Sequence, residues 1–432
     1  MENRHRPGNV QRLHALEGDQ NHQPPPVPSR FWLFFRCLWH LSQISFAHRF
    51  VCMMSERIDD RLGRRGFLAG AAGFGVATLA AGCSGKAGSV ALPLAADEQR
   101  RLIAGMKPPK RARPLVAIVA DNRGAETTDL MIPQAVLTRS GLVDVTVIAP
   151  TDATIAMMPA LSIEPQDTLA GFDKAHPDGA DYVIVPAYRH DDREGPIVAW
   201  IRQQAASRAT IIGICEGAKV LGRAGLLDGR MATTHWYAID GLMRAHPAMR
   251  YARDRRYVVD RGVVTTTGVT ASFPVSLALV EAIGGKEHAE KLAAQLGVSG
   301  YDAAHDSREL HLNAGWVWQL VSNSAAVWGH ETIGIPVADG VDGIALALTA
   351  DAWSRTYRSK ALALTSQATV LTADGLKLTT GGRSARETDL TRSLDPAIPP
   401  ASQLDRALEA IAARYGRGTA GFVALQLEFP WR

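Results

Sequence analysis

Between residues 113 and 298 short apolar runs alternate with stretches of helical spacing, and one of the runs ends in Gly213-Ile214-Cys215-Glu216-Gly217. Leu115 to Ala120, Val143 to Ile148, Tyr182 to Val185 and Thr210 to Ile214 read as buried strands. Glu126 to Thr138 and Ile197 to Ala205 read as the helices between them, with apolar residues recurring every three or four positions. The runs Tyr257–Asp260 and Val263–Thr267 flank Arg261-Gly262, a two-residue hairpin turn, and Ala271 to Ile283 reads as a helix stopped by Gly284-Gly285. Alternation of this kind predicts an α/β fold whose mostly parallel sheet carries helices on both faces. In such sheets ligands sit beyond the carboxyl ends of the strands, which is where Cys215 falls.

The cysteine lies in the sulfur version of a nucleophile elbow. A strand runs into a turn too tight for Cβ atoms on the flanking residues, so glycines stand on either side, and a helix follows. The thiol then faces a helix N-terminus, which predicts a depressed pKa and a reactive thiolate. The N–H of Glu216 is placed to act as one oxyanion donor. Cys37, Cys52 and Cys83 all precede the folded part, so Cys215 has no internal disulfide partner.

The first 92 residues read as targeting. Arg64-Arg65-Gly66-Phe67-Leu68 has the twin-arginine pattern and leads into an uncharged run from Phe67 to Gly82, too short to span a membrane. The run ends Leu79-Ala80-Ala81-Gly82-Cys83-Ser84, which resembles a lipoprotein cleavage site with Cys83 as the acylated, membrane-anchoring residue. Residues 1–53 read as a start-site artefact or an extension, 54–92 as signal peptide and tether, and the expected location is periplasmic. The formal charge is +4, of which six arginines against three acids in residues 1–53 supply +3. The remainder is nearly neutral and shows no basic stripe, which disfavours nucleic acid as a partner. His305 and His311 lack a convincing set of metal ligands, and no cofactor is expected.

Residues 330–432 echo the first unit. Ile333 to Asp339 repeats Leu115 to Asp121, and Ala361-Leu362-Ala363-Leu364 repeats Val145-Thr146-Val147-Ile148. At constant spacing Ile344 falls opposite Glu126, and no cysteine follows Cys215, so this copy reads as truncated and structural. Its end reads as a helix over Ala401–Tyr415 and a strand over Phe422–Phe429. Residues 299–329 connect the copies, with Trp316, Trp318 and Trp328 expected between them.

The run Ile212-Gly213-Ile214-Cys215-Glu216-Gly217-Ala218, continued by Gly225-Leu226-Leu227-Asp228-Gly229 and Ala232-Thr233-Thr234-His235-Trp236, resembles the PfpI/ThiJ family of the class I glutamine amidotransferase-like superfamily. It is nearest the branch of isonitrile hydratases and the sensor domains of AraC-type regulators. The resemblance covers about residues 113–298. It implies a flavodoxin-like sandwich, a dimer or a pseudo-dimer through the second unit, a reactive Cys215, a Glu126 hydrogen-bonded to the sulfur, and a nearby His235. Three departures qualify it. Glu216 replaces the histidine of the protease-like branch. Ala187-Tyr188 replaces the glycine pair that supplies the second oxyanion donor. Pro274-Val275 stands where the amidase-like branch has an acid. Two functions remain open: a hydratase, hydrolase or lyase acting on a small electrophile, or a non-catalytic ligand-binding or oxidative-stress-sensing protein, the latter including a regulator-like sensor domain without a DNA-binding tail.

Overall fold

In the computed structural model the described residues are 94–431, apart from Pro109, 191–193 and Glu309. The expectations for Arg64, Arg65 and Cys83 therefore lie outside the described residues. None of the described helices is long and apolar enough to cross a membrane.

The first sheet is built from β1 (Leu115–Val119), β2 (Asp144–Ala149), β3 (Asp167–Thr168), β4 (Tyr182–Val185), β5 (Thr210–Gly213), β6 (Tyr257–Asp260) and β7 (Val263–Thr266). Its order is β6-β7-β5-β4-β1-β2-β3, and only the β6–β7 hairpin is antiparallel. Leaving out the edge strands β3 and β6, the order follows the 2-1-3-4-5 of flavodoxin-like sheets. The β6–β7 turn is the one read from sequence, with Arg261 at φ 51° and Gly262 at φ 77°, the pair of positive angles a type I′ turn requires.

Helix α1 (Thr127–Ser140) follows β1, α2 (Gly217–Arg223) follows β5, and α3 (Ser272–Gly284) follows β7. Interiors β1, β4 and β5 are wholly buried, as expected for parallel strands covered on both faces.

The second unit keeps the opening of the same plan. Strands β8 (Glu331–Pro336), β9 (Ser359–Leu364) and β10 (Leu390–Thr391) run parallel in the order β9-β8-β10, which is the 2-1-3 of the first sheet, with α4 (Gly343–Ser354) between β8 and β9. What would be strands four and five is missing, and with them any elbow. The unit closes with α5 (Gln403–Tyr415) and α6 (Arg417–Gln426). The strand expected over Phe422–Phe429 is thus mostly helix. Residues Thr419, Ala420, Phe422, Val423, Ala424 and Leu425 of α6 are all buried, and a helix buried all round shows no 3.6-residue stripe.

The two units share one hydrophobic core, to which α1 contributes Leu130, Met131 and Leu137 and α4 contributes Ile344, Leu346 and Leu348. A five-stranded sheet also joins them: Ala125–Glu126, Ile155–Met158 and Ser162–Ile163 of the first unit continue into Lys377–Thr379 and Thr369–Leu371 of the second. The expected role of the tryptophans needs correction. Trp316 stacks on Phe422 at 6.0 Å, but Trp318 is 71% exposed and Trp328 99% exposed.

Candidate active site

Cys215 sits on the elbow between β5 and α2 with φ +54°, a left-handed backbone that costs a non-glycine residue about 1–2 kcal/mol. The turn is held by the Cys215 N–H donating to Thr266 Oγ1 at 3.2 Å and by Thr234 Oγ1 donating to the Cys215 carbonyl at 2.8 Å. Gly217 is obligatory, because a Cβ there would lie 2.0 Å from the Val185 carbonyl oxygen. The flanking glycines thus have the role the sequence suggested.

The thiol, however, is not activated in the expected way. Cys215 is 6% exposed. Burial pushes its pKa well up, and the carboxyls of Asp129, Glu216, Glu126 and Glu428 push it the same way. A two-turn helix end does not outweigh that combination, so the expected depressed pKa is corrected to a raised one.

Glu126 lies at the base of this acid wall but makes no hydrogen bond to the sulfur among the described residues. It caps α1, its Oε2 accepting from the Asp129 N–H at 2.5 Å and from Thr128 Oγ1 at 2.9 Å, while its Oε1 accepts from Arg355 Nη2 at 2.7 Å. The implied sulfur contact is replaced by this cap and ion pair. Asp129, in the first turn of α1, is fully buried. Its Oδ2 accepts from the Ala187 N–H at 3.1 Å, and its Oδ1 has no partner. Burial first, then the charge of Glu126, hold Asp129 well above the usual carboxylate range. Ala187 therefore does not offer a free oxyanion donor. The Glu216 N–H is not engaged among the described residues and keeps that capacity, while the Glu216 side chain pairs with Lys219.

The second unit completes the wall. Arg355, just past α4, holds Glu126 with Nη2 and Asp351 Oδ1 with Nε at 2.7 Å. Asp351 is fully buried, and burial holds its pKa well up in spite of the guanidinium. Three carboxyls thus face one arginine.

On the other side, Glu428 enters from the segment after α6 with φ +51°. Its Oε1 accepts from the Trp236 N–H at 3.0 Å, and its Oε2 lies 3.4 Å from His305 Nε2. A Cβ on Gly268 would meet Glu428 Cδ at 2.7 Å and His235 Cδ2 at 2.8 Å, so that glycine makes room for both. Burial opposes ionisation of Glu428, but the nearby His305 and His235 rings and the hydrogen bond from the Trp236 N–H bring its pKa down to about 2.

His235 itself accepts from the Tyr237 N–H at Nδ1, 3.4 Å, and Nε2 lies 3.1 Å from the Gln426 carbonyl and 3.9 Å from Glu428 Oε1. Both ring nitrogens are occupied away from the thiol. The sequence placed His235 near the cysteine, but the structure ties it to the second unit. Arg355, Asp351, Asp129 and Glu428 were missed. A local signal existed only for Asp129, an acid directly before the apolar run Leu130-Met131-Ile132.

Residues 115–282 match the DJ-1/PfpI family model. This stretch is a DJ-1/PfpI family domain. The isonitrile hydratase of Pseudomonas putida is 38% identical over 99 residues, 22% of this chain and 41% of the hydratase. The HTH-type transcriptional regulator CdhR of Pseudomonas aeruginosa is 32% identical over 116 residues, 27% of this chain and 34% of the regulator. The chain therefore spans only about a third to two-fifths of these two relatives. The Parkinson disease protein 7 homolog of Danio rerio is 29% identical over 42% of this chain and 95% of its own length. Drosophila melanogaster DJ-1beta superposes with 23% identity and a TM-score of 0.39 over 44% of this chain and 100% of that one. The family match ends at residue 282, before Arg355 and Glu428.

Proposed function

We propose that the DJ-1/PfpI domain carries out cysteine-dependent addition to a small uncharged electrophile, an isonitrile, an aldehyde or an amide, as a hydratase, hydrolase or lyase. The observation that carries this reading is Asp129, a fully buried carboxyl with an unpartnered oxygen, whose pKa burial and Glu126 raise so that it can hold and give up a proton beside Cys215. The raised pKa leaves little resting thiolate for peroxide, whereas in its addition to an electrophile the thiol proton can leave to the carboxyl cluster as the C–S bond forms, which supports catalysis over oxidative-stress sensing.

As Cys215 Sγ bonds to the electrophilic carbon, its proton passes into the carboxyl cluster and Asp129 gives one to the substrate, so the net charge of the cluster is unchanged. The free Glu216 N–H faces the developing negative charge. Water then adds to the same carbon, the C–S bond breaks, and one proton of the water returns to Cys215 Sγ through the carboxyl cluster, restoring the thiol. A polar interior that excludes bulk solvent strengthens each of these interactions. By the Arg64-Arg65 and Cys83 motifs, we further propose that the protein works in the periplasm, lipid-anchored through Cys83.

The test is turnover of a panel of isonitriles, aldehydes and amides by the full chain, the Cys215→Ala variant and the Asp129→Asn variant. Wild type should turn over at least one class, and each variant should lose about 100-fold or more. No turnover by wild type on any class, or equal turnover by Cys215→Ala, returns the domain to the ligand-binding reading.

A further inference from the structure

A second polar cavity lies on the seam between the units, apart from the thiol. It encloses about 220 Å³ and is lined by Arg189 from the loop after β4, Lys360 of β9, Arg383 beyond the Lys377–Thr379 strand, and the apolar side chains of Met157 and Leu378. No acidic side chain is among its described lining residues. Arg189 and Lys360 make no side-chain hydrogen bond or ion pair among the described residues, and Arg383 has only Glu387, 3.9 Å away with both groups 44% exposed. One lining hydroxyl, Thr379 Oγ1, is buried without a partner.

Three cations around one small cavity repel each other unless something negative sits between them, and a buried hydroxyl without a partner lacks the acceptor it would donate to. The strain registers on Lys360, whose ammonium is held below the ordinary lysine range by burial and then by Arg383 and Arg189. A bound anion reverses the charge contributions and gives Thr379 its acceptor. The volume lies below that of drug-sized sites and suits a group of phosphate or short carboxylate size, with Met157 and Leu378 against any alkyl portion.

We propose that this cavity is a binding site for a small oxyanion, a phosphate or carboxylate group held by Arg189, Lys360, Arg383 and the Thr379 hydroxyl. The site touches the catalytic unit through its frame: the Arg189 N–H donates to the Gly124 carbonyl at 3.0 Å, and Met157 pairs in register with Ala125, the neighbour of Glu126. It uses no residue of the thiol site, so it stands whether or not Cys215 is catalytic.

The experiment measures the melting temperature of the full chain at pH 7 and fixed ionic strength in sodium chloride, inorganic phosphate or butyrate. Phosphate, butyrate or both should raise Tm by about 2 °C or more over chloride, through preferential binding to the folded state. A rise with phosphate alone identifies a phosphate-type ligand, and a rise with butyrate alone a carboxylate. Lys360→Met and Arg189→Met should each abolish the rise while leaving Tm in chloride equal or higher, since each relieves repulsion. If Lys360→Met does not fold, the exposed Arg383→Gln decides instead. Equal Tm in all three salts, or a rise that survives in these variants, overturns the proposal. Cys215→Ala should keep the rise, which separates this result from the fate of the catalytic reading.

Discussion

The two ends of the α1–α4 helix pair are built alike and used differently. The helices pack antiparallel, so each ends beside the start of the other. Glu126 caps α1, and Asp342 caps α4 by accepting from the Ala345 N–H at 2.9 Å. Arg139, in the last turn of α1, reaches Asp342 at 3.0 Å, and Arg355, just past α4, reaches Glu126 at 2.7 Å. The same sequence offset separates Glu126 from Asp342 and Arg139 from Arg355, so the pair keeps an internal twofold. The true counterpart of Glu126 is therefore the acid Asp342 and not Ile344, because the strands align one residue off the sequence echo and the loop before α4 is one residue shorter than the loop before α1.

At the Arg139 end the guanidinium meets two acids, Asp342 and Asp374, and Asp342 is 34% exposed. At the Arg355 end it meets buried carboxyls that it cannot all neutralise, and a cysteine lies beside them. One interface thus yields a partly solvated clamp at one end, with Asp374 buried and Asp342 reached by water, and an acid-lined site at the other. The difference is the missing second elbow: the start of α4 in the truncated copy has no thiol beside it, so the Arg139 that reaches it from α1 has only a structural task.

The largest expected effect breaks this comparison at its arginines. Removing one member of a buried ionic cluster costs about 3–5 kcal/mol, because charges remain unpaired in the interior. Arg355→Met should lose stability of that order in urea unfolding at pH 7. Arg139→Met should lose less, about 1–3 kcal/mol, since water reaches Asp342. Equal losses would mean that the two ends are energetically the same and that the site end is not special.

A smaller effect separates the units through Glu428. Its carboxyl is 1% exposed and ionises near pH 2, against an ordinary value of about 4.3. A depressed carboxylate pKa adds stability that is complete above the unfolded value and is lost as pH falls towards the folded one. The contribution is at most about 3 kcal/mol at pH 7. Glu428→Gln should therefore be less stable than wild type at pH 7, with the two unfolding curves converging between about pH 4.5 and pH 2. A constant difference across that range would assign the loss to packing and not to charge.

How far the sequence could be read follows from the range of each interaction. The β1–α1–β2 alternation, the Arg261-Gly262 turn and the Gly213-x-Cys215-x-Gly217 elbow are local, set by periodicity and by glycines that single backbone positions require. Arg355, Asp351 and Glu428 reach Glu126, Thr128 and Trp236 from more than 190 residues away. No local pattern marks an acid or arginine that will be buried against a distant unit. The thiol failed for a related reason: the elbow predicts a helix dipole, but burial and acids from two other segments, Glu126 with Asp129 and Glu428, join the local Glu216 in outweighing it. Its site was legible and its chemistry was not.

The smallest effect tests the thiol against Asp129. Asparagine copies the shape of Asp129, whose pKa burial and Glu126 hold well up, so Asp129→Asn should keep stability within about 1 kcal/mol. Iodoacetamide alkylation of Cys215 should then discriminate between burial and charge. In wild type the rate at pH 7 should fall well below that of a free thiol of pKa about 8.5, and should still be rising at pH 9. Replacing Asp129 removes the largest charge acting on the sulfur but leaves the burial, so the profile should move to lower pH by about tenfold in rate while remaining above the free-thiol midpoint. A plateau already reached by pH 6–7 in wild type would restore the activated thiolate that the elbow alone suggests, and with it the equivalence of this site to an exposed reactive cysteine. An unmoved profile in Asp129→Asn would leave burial as the sole cause and take Asp129 out of the proton path.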